Sequence, residues 1–312
     1  MDNIGADLSE FVHVTTDDSG NPVAIFNRFD SGWANPRWVL AKSTDGGATF
    51  DADVEVSGWS GGGNEPFCEC CPAAVKLSGS TFLVAYRDNF SNVRDIWVGI
   101  SSDSGTSFTS GMNVDQQGWV INSCPTSGPD IEIVGDTIYT TFMSEATGEN
   151  LIYFSAASIS AGTGVSASTV TGVISGLTLQ NYPRMSFSNG EGILGWQQTV
   201  NGSSQIVMVH SPNINNGFGS SYELVADGNT YSPDFVMNDN EIHAVWRDGT
   251  TNTVKYRRGW VSAAGMNEIQ SSSAELIKIV DLTGRECEYS PDKPLLFIYS
   301  DGTVSRKMIV GE

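Results

Sequence analysis

Ser43-Thr44-Asp45-Gly46-Gly47-Ala48-Thr49-Phe50 and Ser101-Ser102-Asp103-Ser104-Gly105-Thr106-Ser107-Phe108 share one pattern, Ser-x-Asp-x-Gly-x-x-Phe, 58 residues apart. The pattern is that of a tight turn between two strands. An Asp carboxylate accepts hydrogen bonds from the turn's N–H groups, Gly supplies a position with φ > 0, and the closing aromatic tucks back under the loop. A strand of alternating character precedes each copy, Trp38-Val39-Leu40-Ala41-Lys42 and Ile96-Trp97-Val98-Gly99-Ile100.

The turn belongs to a longer unit, which recurs where the turn itself has decayed. Four units open with Pro and an alternating strand: Pro72-Ala73-Ala74-Val75-Lys76-Leu77, Pro129-Asp130-Ile131-Glu132-Ile133, Pro183-Arg184-Met185-Ser186-Phe187 and Pro233-Asp234-Phe235-Val236-Met237, at intervals of 57, 54 and 50 residues. A first unit opens at Phe11-Val12-His13-Val14 without the Pro. Second strands are predicted to end at Phe26-Asn27-Arg28, Ala85-Tyr86-Arg87, Thr141-Phe142-Met143, Gly195-Trp196-Gln197 and Val245-Trp246-Arg247. Third strands follow at Leu151 to Ala156, Gln205 to His210 and Thr253 to Arg257, and Ser211-Pro212-Asn213-Ile214-Asn215-Asn216-Gly217-Phe218 reads as a degenerate turn of the same kind. Period-2 alternation at this spacing predicts an all-β β-propeller of four-stranded blades rather than a sandwich, with five units between about residues 8 and 262.

The pair of turns resembles the Asp-box, or BNR repeat, of the sialidase-like β-propellers. That resemblance makes Ser43, Asp45, Gly47, Phe50, Ser101, Asp103, Gly105 and Phe108 structural residues that identify the fold and do no chemistry. Sialidases have six blades, so three arrangements stand open: a five-blade ring, a ring lacking its N-terminal part, or a tail that folds in as a blade. Residues 1–266 are read as the propeller, 267–274 as a linker and 275–312 as a small C-terminal β tail with an Asp301-Gly302 turn between its last strands. The stretch Val280-Asp281-Leu282-Thr283-Gly284-Arg285-Glu286, ahead of a closing hairpin, resembles the C-terminal sorting domain of Bacteroidetes type IX secretion. That resemblance implies the secretion machinery as a partner of the tail. A last propeller blade is the alternative, and Cys287 stands where the sorting family would carry an apolar residue.

Composition bounds the rest. A net charge of −20 disfavours nucleic acid, whose phosphates need Lys and Arg to neutralise them. No run of 18 apolar residues is long enough for a transmembrane helix. Met1-Asp2-Asn3-Ile4-Gly5 shows no signal peptide, and with the tail in view the expectation is a secreted or cell-surface protein whose leader is not in this sequence. Three scattered His and the lack of a phosphate-cradling glycine motif predict neither a metal nor a cofactor. Cys68, Cys70, Cys71 and Cys124 are read as disulfide candidates, their pairing undetermined; one bridge from the cluster to Cys124 would tie neighbouring blades. The alternative is a four-thiolate zinc site, although three ligands in Cys-x-Cys-Cys depart from the usual Cys-x2-4-Cys spacing.

In a blade, the start of the first strand and the end of the second meet at one face, opposite the Asp-box turn. Those positions hold Asp130, Arg184 and Asp234, Tyr182 just before a Pro, and Arg28, Arg87 and Arg247 at second-strand ends. Four of sixteen basic residues thus fall on one predicted rim. Arginines grip carboxylate or sulfate bidentately and stay charged when partly desolvated, while Asp130 and Asp234 are the candidate acid and base. The cluster is similar to the sialidase arginine triad and implies an exo-glycosidase acting on anionic sugars, sialylated or uronate-containing. The family's Arg-Ile-Pro opening and its Tyr/Glu nucleophile pair are missing; Tyr182, Tyr231, Glu65 and Glu69 are merely on the right face. A carbohydrate- or protein-binding propeller without turnover and a polysaccharide lyase are the alternatives, and Arg87-Asp88 and Arg247-Asp248 read equally as inter-blade struts. Tyr86, Trp196 and Trp246 are read as blade core rather than sugar platforms.

Overall fold

Alternating burial marks strands such as Thr230–Asn238, while second strands such as Thr81–Arg87 and Thr137–Ser144 are buried on both faces, and each sequence unit folds as an antiparallel meander of four strands. The computed structural model describes residues 8–59, 67–162, 165–262 and 265–267, together with tail residues 276–281, 284–288, 290, 293, 295–299 and 304–307. The first sheet contains β1 (Leu8–Thr16), β2 (Pro22–Asp30), β3 (Ala34–Lys42) and β4 (Val54–Glu55); the second contains β5 (Ala74–Ser78), β6 (Thr81–Arg87), β7 (Ile96–Ser101) and β8 (Ser110–Asn113). The third contains β9 (Asp130–Val134), β10 (Thr137–Ser144), β11 (Leu151–Ser158) and β12 (Ser166–Thr169). The fourth contains β13 (Leu177–Ser188), β14 (Glu191–Val200), β15 (Ser203–Ser211) and β16 (Glu223–Asp227). The fifth contains β17 (Thr230–Asn238), β18 (Glu241–Asp248), β19 (Thr253–Ser262) and β20 (Gly265–Asn267).

Adjacent sheets pack face to face through apolar seams. Ile25, Trp38 and Leu40 of the first sheet meet Val75, Phe82 and Val84 of the second. Leu83, Ile96 and Val98 meet Ile131, Ile138 and Phe142 of the third, whose other face packs Ile152 and Phe154 on Met185, Leu194 and Trp196 of the fourth. Ile193, Ile206 and Met208 then meet Phe235, Met237 and Ala244 of the fifth. Each large side chain so buried contributes about 1.5–3 kcal/mol. Tyr86 and Trp196 are fully buried, as expected of blade core, and Trp246 packs partly against the fourth seam. Among the described residues the arrangement is a β-propeller of five four-stranded sheets.

Both Asp-boxes join the third and fourth strands of their blades and carry the same bonds. Ser43 Oγ donates to Asp45 Oδ1 (2.8 Å) and accepts from Gly47 N (2.8 Å), while Thr49 N reaches Asp45 Oδ1 (2.8 Å) and Thr49 Oγ1 reaches Oδ2 (2.6 Å). Ser101, Asp103, Gly105 and Ser107 repeat this set at 2.7, 3.0, 2.9 and 2.6 Å. Gly47 and Gly105 take φ of 93° and 73°. Phe108 is buried in the seam of the first two sheets, and Phe50 packs beside Phe26, Val39 and Ala41. The degenerate copy keeps part of the scheme: Asn213 caps a 3-10 turn at Ile214–Asn216, and Ser211 Oγ donates to Gly217 O (2.6 Å).

The tail is a three-stranded antiparallel sheet of β21 (Leu276–Val280), β22 (Leu295–Tyr299) and β23 (Val304–Lys307). Asn267 ends β20, whereas the rest of the expected linker and the Asp301-Gly302 turn lie outside the described residues. Among the described residues no helix is long and apolar enough to cross a membrane.

Candidate functional site

The first strands of all five blades line one central channel of about 490 Å³. Register sets which side chains share a level in it. His13 pairs with Ile25, Ala74 with Ala85, Asp130 with Thr141, Arg184 with Gly195 and Asp234 with Val245, and all five second-strand partners occupy the same place in their blades. Asp130, Arg184 and Asp234 therefore come from three successive blades at one level near the start of the first strands. Two residues further along each strand, the same face carries Thr15, Lys76, Glu132, Ser186 and Val236, also in the channel wall. The sequence reading missed this second level; the signal was there, since a strand returns to the same face every second residue.

Backbone bulges aim these strands. Phe11, Tyr182 and Ser232 have φ of 52°, 54° and 50°, each just before the channel residue of its blade, and the pairing register shifts at each. Such bulges bend a strand and re-aim its side chains. Tyr182 is itself this bulge residue and is not part of the channel wall.

Two carboxylates at one level sit in unlike environments. Asp130 Oδ2 accepts from Met185 N of the next blade (2.8 Å) and Oδ1 from Ile131 N (2.9 Å). Burial pushes its carboxyl above the ordinary range, and the Arg184 guanidinium together with these two amides pulls it only part of the way back. Asp234 has no sixth sheet of the same kind beyond it among the described residues, and its side chain is 69 % exposed. Its Oδ1 accepts from Phe235 N (2.9 Å) and stands 3.9 Å from Arg184 Nε. Arg184 thus acts on both acids while its Nη1 donates to Pro183 O (2.9 Å). At the second level Lys76 Nζ pairs with Glu132 Oε2 (2.6 Å), and burial raises the Glu132 carboxyl against the pull of Lys76.

The other three arginines do not join this group. Arg87 is fully buried and donates to the carbonyls of Ser127 (2.9 Å), Arg94 (2.7 Å) and Met143 (2.7 Å), with Trp119 5.3 Å from its guanidinium carbon. It is a strut between the second and third blades and is not part of the channel wall. Asn27 and Gln197 hold the same place in their blades and do the same work: Asn27 Nδ2 donates to Glu69 O (3.0 Å), and Gln197 Oε1 accepts from Ser232 N (3.2 Å). Arg28 lies one residue past Asn27, so it points to the other face of its sheet and pairs with Asp53 at 2.5 Å. Arg247 occupies the strut position in the last blade and bonds Asn252 of its own hairpin (3.0 Å). Tyr231 Oη is held by Asn229, Glu69 is exposed beside the cysteine cluster, and Glu65 lies outside the described residues.

Cys70 and Cys124 form a disulfide across 54 residues that ties the loop before the second blade to the loop before the third. Cys68 and Cys71 are buried, with sulfurs 2.7 Å apart. Burial would raise the Cys71 thiol, but the Cys68 hydrogen bond, Arg87 and the Ser127 amide outweigh it and bring it down to about 7, while the same contact and burial push Cys68 up.

The fold and the channel define a propeller with a mixed acidic and basic central site. In structure the chain is similar to the alpha-L-arabinanase of Penicillium chrysogenum complexed with arabinobiose, at 14 % identity and a TM-score of 0.54, covering 96 % of this chain and 92 % of that one. It is also similar to the GH93 alpha-L-arabinofuranosidase of Fusarium graminearum with arabinobiose, at 13 % identity and a TM-score of 0.53, covering 96 % and 93 %. At such identities the likeness is one of fold. No family model and no curated protein matches the chain.

Proposed function

We propose that this chain is an exported, sialidase-like propeller that acts as an exo-glycosidase on anionic sugars at the mouth of its channel. The observation that carries the reading is the convergence of Asp130, Arg184 and Asp234 from three successive first strands. Arg184 grips the sugar's acidic group and is the one arginine of the expected four that lines the channel. Asp130, shielded and biased toward its protonated form, serves as the general acid. Asp234, open to solvent, serves as the base that activates water. In support, the alpha-L-arabinanase and the alpha-L-arabinofuranosidase named above each hold arabinobiose in their structures. Residues 275–312 act as the sorting tail behind the 267–274 linker and deliver the protein to the outside.

A second reading, a sugar-binding propeller without turnover, draws on one observation: both Asp130 oxygens already accept an amide. Turnover of fluorogenic sialosides and uronides separates the two. For a hydrolase, Asp130→Asn and Asp234→Asn each lower kcat by about 100-fold or more, and activity falls as pH rises through the raised Asp130 value, because the acid works only when protonated. Sugar binding that Arg184→Ala abolishes, with no turnover in the wild type, establishes the second reading. An unsaturated uronide product would make the protein a lyase and overturn both.

A further inference from the structure

We propose that Cys68, Cys70, Cys71 and Cys124 form, in the reduced chain, a four-thiolate site for a single d10 cation, Zn2+ or Cu+. All four sulfurs lie within 4.8 Å of one another. A tetrahedral site with metal–sulfur bonds of roughly 2.3 Å has sulfur–sulfur edges of about 3.8 Å, so small side-chain rotations complete it. The Cys68 to Cys70 distance is already 3.6 Å.

The backbone is shaped to present the ligands. Cys71 N donates to Cys68 O (3.0 Å), closing a four-residue turn that holds three cysteines on one knuckle, and Cys68 N donates to Arg87 O (2.9 Å), which anchors the knuckle to the end of β6. The fourth ligand comes from the neighbouring blade's loop. Cys68 and Cys71 are buried, Cys70 is half-buried and Cys124 is exposed, so the ion would enter from the Cys124 side.

Charge and donor type choose the occupant. Four thiolates around Zn2+ carry a net charge of −2, and around Cu+ of −3, in a mostly buried place. Arg87 and Arg94 both act electrostatically on Cys68 and Cys71 and offset that charge. The three hydrogen bonds of Arg87 all end on neutral carbonyls, and its charge acts on the buried Asp115 as well as on the cluster. An all-sulfur donor set selects soft, thiophilic ions over Mg2+ or Ca2+. The Cys70–Cys124 disulfide uses two of the same sulfurs, so bridge and cation exclude one another, and the ion is taken up before the bridge forms.

The test uses the full chain purified in dithiothreitol and loaded with Zn2+ in one arm and Cu+ in another. The result expected is one ion per chain after desalting, a raised melting temperature, and only Cys287 reacting quickly with a thiol reagent. Cobalt substitution should give the visible bands of tetrahedral thiolate coordination, and Cys124→Ser should weaken binding by roughly 100-fold. Should that variant fail to fold, competition of the reduced wild type with a chromophoric chelator reads the stoichiometry without it. Retention in the zinc arm or the copper arm identifies the ion. A reduced, folded chain that retains neither ion, or a protein that forms a second bridge between Cys68 and Cys71 and takes up no metal after reduction, overturns the proposal.

Discussion

Asp115 shows how one side chain can set the pH response of a propeller. Its carboxyl is buried beside Asp95; burial first and that neighbouring charge second push it up to about 7, and its Oδ2 has no hydrogen-bond partner among the described residues. A carboxyl whose folded value is raised contributes stability that is fully present below its unfolded value, near 3.9, and is lost as pH rises through about 7. The protein should therefore melt higher at pH 5 than at pH 8, and Asp115→Asn should flatten that difference and exceed the wild type at pH 8. Thermal melts at the two pH values check this; a wild type as stable at pH 8 as at pH 5 would contradict it. Asp130 and Asp234 make the same point about environment: identical residues at identical register differ because the fourth blade covers Asp130, whereas among the described residues no further four-stranded sheet covers Asp234.

Among the elements, the seams between blades carry the strongest constraints. Gly195 lies where a Cβ would meet the Phe235 ring at 2.1 Å, so Gly195→Ala should cost about 1–3 kcal/mol by forcing the fourth and fifth sheets apart. Arg87→Met should cost about 3 kcal/mol or more, because three buried carbonyls lose a charged donor, yet it should leave the channel's ligand binding intact. Denaturant unfolding checks both, and loss of sugar binding in folded Arg87→Met would contradict the strut assignment. The blades were legible in the sequence because Ser-x-Asp-x-Gly-x-x-Phe encodes a local hydrogen-bond set and because strand alternation is local. Arg28 and Arg87 were misleading for a non-local reason. Arg28 is one residue out of step with the strut position, which places it on the opposite face, and Arg87 is consumed by carbonyls of two other segments that sequence does not bring together. The bulges at Phe11, Tyr182 and Ser232 gave no local warning either, since two of the three require a left-handed conformation from aromatic residues.

For the molecule as a whole, four apolar seams join the five sheets in sequence, and among the described residues none joins the fifth to the first. Val245 and Val254, on the fifth sheet's far face, are 37 % and 71 % exposed. The channel wall nevertheless draws on all five first strands, from Phe11 to Val236, which is what gathers one arginine and two aspartates from a strongly acidic chain into one place. A glycan array probed with the wild type and with Arg184→Ala tests whether this place takes an anionic sugar. Binding confined to sialylated or uronate-containing glycans and lost in the variant is the expected result; binding to neutral glycans that Arg184→Ala leaves unchanged would overturn an anionic-sugar site.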